Sequence, residues 1–174
     1  MKKKEKNGFT LVEILVAVAI ISSLSFAIIL NIRAGTNEQA ILRSAQKFAF
    51  NLRKAQNLAL SPQRGVNTVC YYGVNIQNST QYSIYYHEDA NPNCPGSLNH
   101  YAAGDNKIET ITLDGGVEFA NAVNQDVAFE TPEPLTYFFG VLNFPSTAIT
   151  LRLASNPAIT KNIIINRFGN VEIK

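Results

Sequence analysis

Cysteine is scarce in this chain of 174 residues. There are two, Cys70 and Cys94, and neither belongs to a CxxC pair or a Cys/His cluster. That excludes the ligand spacing of a zinc site. Histidine is as rare, and His87 and His100 stand isolated in polar sequence, where they read as surface residues. No GxxxxGK loop, GxGxxG fingerprint, GxSxG elbow or HExxH helix occurs, so the common phosphate, dinucleotide, hydrolase and zinc-protease signatures are missing. Asp105, Asp114 and the Glu88–Asp89 pair lack the dense oxygen spacing of a calcium loop. No catalytic residue, metal or cofactor is expected.

Charge is sparse and unevenly placed. Four of the 15 basic residues (Lys2, Lys3, Lys4, Lys6) and one of the 13 acidic ones (Glu5) lie in the first eight positions, leaving 11 against 12 in the remainder. A nearly neutral body has no broad basic field, so nucleic acid is not an expected partner. Tyr71, Tyr72, Tyr82, Tyr85, Tyr86 and Tyr101 read as strand residues of the core and edges rather than as a base-stacking platform. The leading lysines read as a topology signal, because positive charge beside an apolar segment tends to stay cytoplasmic.

From Phe9 to Ile32 the chain is apolar over 24 residues, with Glu13 its one charge and Asn31 its one amide. As a helix this is about 36 Å long, enough to cross a bilayer. A secretory signal peptide would have a shorter apolar core and a small-residue cleavage site. A plain anchor fits the length but leaves Glu13 unexplained, since an acid in the apolar zone costs about 2.5–3.5 kcal/mol on insertion scales.

A third reading accounts for the acid. Gly8-Phe9-Thr10-Leu11-Val12-Glu13, behind a short lysine-rich leader, resembles the processing signal of type IV pilins and type II secretion pseudopilins. The resemblance implies a leader peptide at 1–8, removed by prepilin peptidase between Gly8 and Phe9, and N-methylation of Phe9. It implies a transmembrane and assembly helix at 9–32. Glu13 then becomes a counter-charge for the amine exposed at Phe9. An unpaired buried charge is strongly unfavourable, so pairing Glu13 of one subunit with the Phe9 amine of another would set the register of assembly. The implied partners are prepilin peptidase, other pilin or pseudopilin subunits, an inner-membrane assembly platform, and membrane lipid before assembly. The implied location is the inner membrane, single-pass, lysines inside and body outside, and afterwards an extracytoplasmic filament.

Beyond Gly35, where a bend is expected, the pattern becomes amphipathic, with Thr36 or Asn37 as a cap-like break. Ile41, Ala45, Phe48, Leu52, Ala55 and Ala59 recur at spacings of three and four, one stripe of an amphipathic helix over 33–61. Pro62 ends that helix near Leu60 or Ser61. The stripe is expected to pack on the chain's own sheet.

Residues 62–174 read as a β-rich globular domain. Strands are expected at 66–72, 82–86, 108–113, 117–119, 127–129, 135–139, 148–153, 162–166 and 171–173. Asp114-Gly115-Gly116 suggests one tight hairpin and Phe168-Gly169-Asn170 another. The 87–107 stretch shows no strand pattern and is a candidate for a subunit-specific contact surface. Outside the cytoplasm, Cys70 and Cys94 would be suited to a disulfide worth about 3 kcal/mol; the other reading is one buried thiol and one loop thiol. The fold class is α+β: a long N-terminal helix packed on an antiparallel sheet or small sandwich, as in pilins. Phe144-Pro145 and the 162–173 block are similar to the end of H-type pseudopilins and minor pilins, although Ser146-Thr147 stand where those carry a glycine. A non-catalytic filament subunit follows from the resemblance, either pseudopilin or minor pilin. A major pilin, or a membrane-anchored binding module or adhesin, are the alternatives.

Overall fold

The computed structural model describes residues 10–62, 67–91, 94, 100–133, 135–142 and 144–174, with 27–36 described as helical backbone only. The leader, Gly8 and Phe9 lie outside the described residues. Helix α1 spans Leu11–Leu60. The expected cap-like break at Thr36 or Asn37 is not present in it, because the backbone is helical on both sides of these residues. Pro62 lies just past its end, as expected of a residue that disfavours helix before it. Two compact units divide the chain, one ending at Asn37 and one running Glu38–Lys174.

In the second unit ten strands follow the helix: β1 (Thr68–Ile76), β2 (Gln81–Asp89), β3 (Asn106–Thr112), β4 (Val117–Phe119), β5 (Asp126–Glu130), β6 (Thr136–Phe138), β7 (Val141–Leu142), β8 (Ser146–Leu153), β9 (Asn156–Asn166) and β10 (Val171–Ile173). They form a six-stranded sheet, β3-β2-β1-β5-β6-β7, and a four-stranded sheet, β10-β9-β8-β4. Every pairing is antiparallel. The fold class is therefore α+β with antiparallel sheets.

The Asp114–Gly116 turn does close, with the Val117 amide donating to the Asp114 carbonyl at 3.0 Å and Gly116 at φ +82°. It does not make a hairpin. β3 pairs with β2 while β4 pairs with β8, so the turn carries the chain from one sheet to the other. Local turn chemistry is indifferent to which strand each flank later meets. In β3, an edge strand, Ile108 is 43% exposed while Ile111 is buried. The Phe168–Asn170 turn joins β9 to β10 as a true hairpin. β7, a two-residue strand, gave too short a pattern to be read.

The six stripe residues of α1 are each at most 1% exposed. They share one core with residues of both sheets, among them Tyr72, Val74, Ile84 and Val127 from the larger and Val117, Leu151, Ile163 and Ile165 from the smaller. Phe48 is the junction: its ring meets Tyr82 of β2 edge-on at 4.9 Å and Phe119 of β4 at 5.3 Å. Edge-to-face pairs of this kind add about 0.5–1.5 kcal/mol each beyond burial. One helical turn along, Asn51 Nδ2 donates to the Tyr82 hydroxyl at 2.8 Å, and burial pushes that hydroxyl up to about 12. Arg43 pairs with Asp114 at 3.3 Å and Lys54 with Glu109 at 3.1 Å; both pairs are solvent-accessible and serve orientation more than stability.

Candidate assembly site and the covered face of the larger sheet

In the first unit, α1 opens on Thr10. The Thr10 amide donates to Glu13 Oε2 at 2.8 Å, the Thr10 hydroxyl donates to the same oxygen at 2.9 Å, and the Glu13 amide donates to Thr10 Oγ1 at 3.3 Å. This is a capping box, in which the side chains at N-cap and N3 satisfy each other's backbone donors. The T-x-x-E spacing before an apolar run is its sequence signature, and Thr10 is the capping partner that reading Glu13 alone misses. The arrangement occupies one carboxylate oxygen. Among the described residues Oε1 accepts no hydrogen bond.

Around this cap the helix is apolar on every face. Leu11, Val12, Ile14, Leu15, Val16, Val18, Ile20, Ile21, Leu24 and Phe26 are all exposed. Ser23 and Ser25 donate back to the carbonyls of Ile20 and Ile21, each at 2.8 Å, which removes the cost of a bare hydroxyl in such a segment. Among the described residues no helix is long and apolar enough to cross a membrane; the described side chains of the run stop at Phe26.

The second unit has its own polar centre, on the larger sheet's face away from α1. Cys70, Tyr71, Tyr85, Ala128 and Tyr137 are buried there, with Cys94 and Tyr101 packed over them. Cys70 and Cys94 are joined by a disulfide. Gly73 lets the Tyr85 ring lie flat against β1, since a Cβ at that position would come within 2.7 Å of it. Tyr85 donates to Asp126 Oδ2, which also accepts the Tyr101 amide at 2.9 Å. Burial raises the Asp126 carboxyl above its ordinary range, against the opposing pull of those two donors.

His87 is not an isolated surface residue. β2 runs on to Asp89, and the His87 ring stacks on Tyr71 at 4.9 Å while its Nδ1 hydrogen-bonds Asp105 Oδ1 at 2.6 Å. The strand pattern was masked because Tyr71, which covers His87, lies across the sheet and not nearby in sequence. His100 stacks on Phe139 at 5.9 Å. Among the described residues no group of three or more His, Cys, Asp or Glu is placed to hold a metal ion.

Residues 3–29 match the family model of the prokaryotic N-terminal methylation motif. The chain carries the type IV pilin and pseudopilin signal. No curated protein and no solved structure matches the chain. The match spans Lys3, Lys4, Lys6, Gly8, Phe9, the Thr10–Glu13 cap and the apolar run to Ile29. It is the signal of a prepilin peptidase substrate whose N-terminus is membrane-anchored before assembly with other pilin subunits. The β-rich body falls outside the match.

Proposed function

We propose that this chain is a non-catalytic structural subunit, a pseudopilin or minor pilin, of a type IV pilus-like or type II secretion filament. The observation that carries the reading is the methylation signal over residues 3–29. Prepilin peptidase cleaves between Gly8 and Phe9 and the new Phe9 amine is methylated. Before assembly, the 9–32 helix holds the subunit in the inner membrane in a single pass, with the lysines inside and the body outside. The assembly platform then draws the helix from lipid into a bundle of neighbouring helices. That transfer gains little from hydrophobicity, so packing and charge pairing supply the specificity.

In this reading the capping box gives Glu13 two tasks. Oε2 closes the start of the helix, and Oε1 is offered to the Phe9 amine of a neighbouring subunit. The body supports the finer assignment to H-type pseudopilins or minor pilins through its two antiparallel sheets flanking one helix. Mass spectrometry of the chain recovered from sheared filaments tests the proposal. The expected N-terminal peptide begins at a methylated Phe9; a polymerised form that retains Met1 overturns it.

A further inference from the structure

The covered face of the larger sheet is held by two kinds of attachment placed at opposite ends of the connection between β2 and β3. At the β2 end stands Cys94, whose amide donates to the Asn91 carbonyl at 3.0 Å and whose sulfur is bonded to Cys70 of β1. At the β3 end stands His100–Asp105, which has hydrogen bonds and ring contacts of its own to the sheet. Tyr71 of β1 donates its hydroxyl to the His100 carbonyl at 2.9 Å. Asp126 of β5 accepts the Tyr101 amide, and the Tyr101 ring stands edge-on to Tyr85 of β2 at 5.0 Å. Asp105 accepts the Ala102 amide at 2.8 Å on one oxygen and His87 of β2 on the other, with its side chain 1% exposed.

We infer that His100–Asp105 is docked on the larger sheet by the buried carboxylates of Asp105 and Asp126 independently of the Cys70–Cys94 bond, so that reduction of the disulfide leaves this segment in place. Three strands contribute to the docking, and lifting the segment would break these bonds together and uncover the fully buried Tyr85 ring. Reduction removes a single covalent tether at the other end. Two electrons and two protons pass from a dithiol reductant to the two sulfurs, leaving two thiols and the reductant as its cyclic disulfide. The carboxylates that accept the Tyr101 and Ala102 amides are unchanged in that step. The disulfide thereby acts as a second fastening on a segment that already has its own. This inference stands apart from the filament reading.

Hydrogen exchange of the full chain in mild detergent tests it, read at the Tyr101 and Ala102 amides with the Ile163 and Ile165 amides of the other sheet as reference. On reduction with dithiothreitol, exchange at Tyr101 and Ala102 is expected to rise by less than about tenfold. In Asp126→Ala with the disulfide intact, exchange at Tyr101 is expected to rise by more than about tenfold while the reference amides stay protected. A larger rise on reduction alone, or a smaller one in Asp126→Ala, overturns the inference. Should Asp126→Ala also expose the reference amides, Asp105→Asn replaces it: the bond to His87 and the accepted Ala102 amide are weakened together, and exchange at Ala102 unchanged from the parent overturns the inference equally.

Discussion

Glu13 meets two demands that separate substitutions can pull apart. Glutamine also serves at the third position of a capping box, so Glu13→Gln keeps the helix start and removes the charge. Glu13→Ala removes both. Each variant is expected to insert in the membrane and be cleaved, and neither is expected to enter filaments; incorporation of Glu13→Gln at parental levels in a shearing assay would show that charge pairing is not what aligns the subunits. Asp126 gives a residue-scale prediction about pH. Burial raises its carboxyl, so the folded chain holds this proton more tightly than the unfolded chain does. Its contribution to stability is therefore complete below the unfolded value of about 3.9 and is lost as pH rises through the higher folded value. Urea midpoints measured across that window should fall with rising pH in the parent, and fall less in Asp126→Asn. Gly169 has φ +76°, and a Cβ there would strike the Gln56 side chain. Gly169→Ala is expected to cost about 1–2 kcal/mol by thermal unfolding. Gly104→Ala, with nothing near its Cβ, should lie within about 0.5 kcal/mol of the parent.

Among the elements, the helical stripe was the most legible part of the sequence. Ile41 to Ala59 repeat at the period of a helix, and burial follows that repeat because one face meets the sheets. The eight-residue β8 was legible for the same reason, since Ile149, Leu151 and Leu153 alternate with half-exposed neighbours. Strand partners were not legible. The Asp114 turn looks the same whether its flanks pair with each other or cross between sheets, and that choice is made by strand partners 20 to 36 positions apart. The polar centre was hidden likewise: Asp126 bonds Tyr85 across 41 positions and Tyr101 across 25, and no local pattern marks such a meeting. Thr10, by contrast, was visible in T-x-x-E. Two phenylalanines on α1 make the stripe quantitative. Phe48→Ala removes a fully buried ring and should cost about 3–5 kcal/mol in urea unfolding. Phe50, 64% exposed two positions on, should cost no more than about 0.5 kcal/mol when changed to alanine.

At the scale of the whole molecule, identity is concentrated at one end and architecture at the other. The methylation signal ends at residue 29, while both sheets and their core begin beyond it. Processing and fold should therefore fail separately: Gly8→Val is expected to leave the leader attached while the body keeps its far-ultraviolet dichroism, and loss of that signal would tie the two together. Phe48, wedged between Tyr82 and Phe119, has a practical consequence for anyone cutting the protein. A soluble fragment started at Pro62 would take away the wall that both sheets lean on and leave two greasy panels facing solvent, an invitation to clump. Started ahead of Glu38, the same fragment carries its own spine.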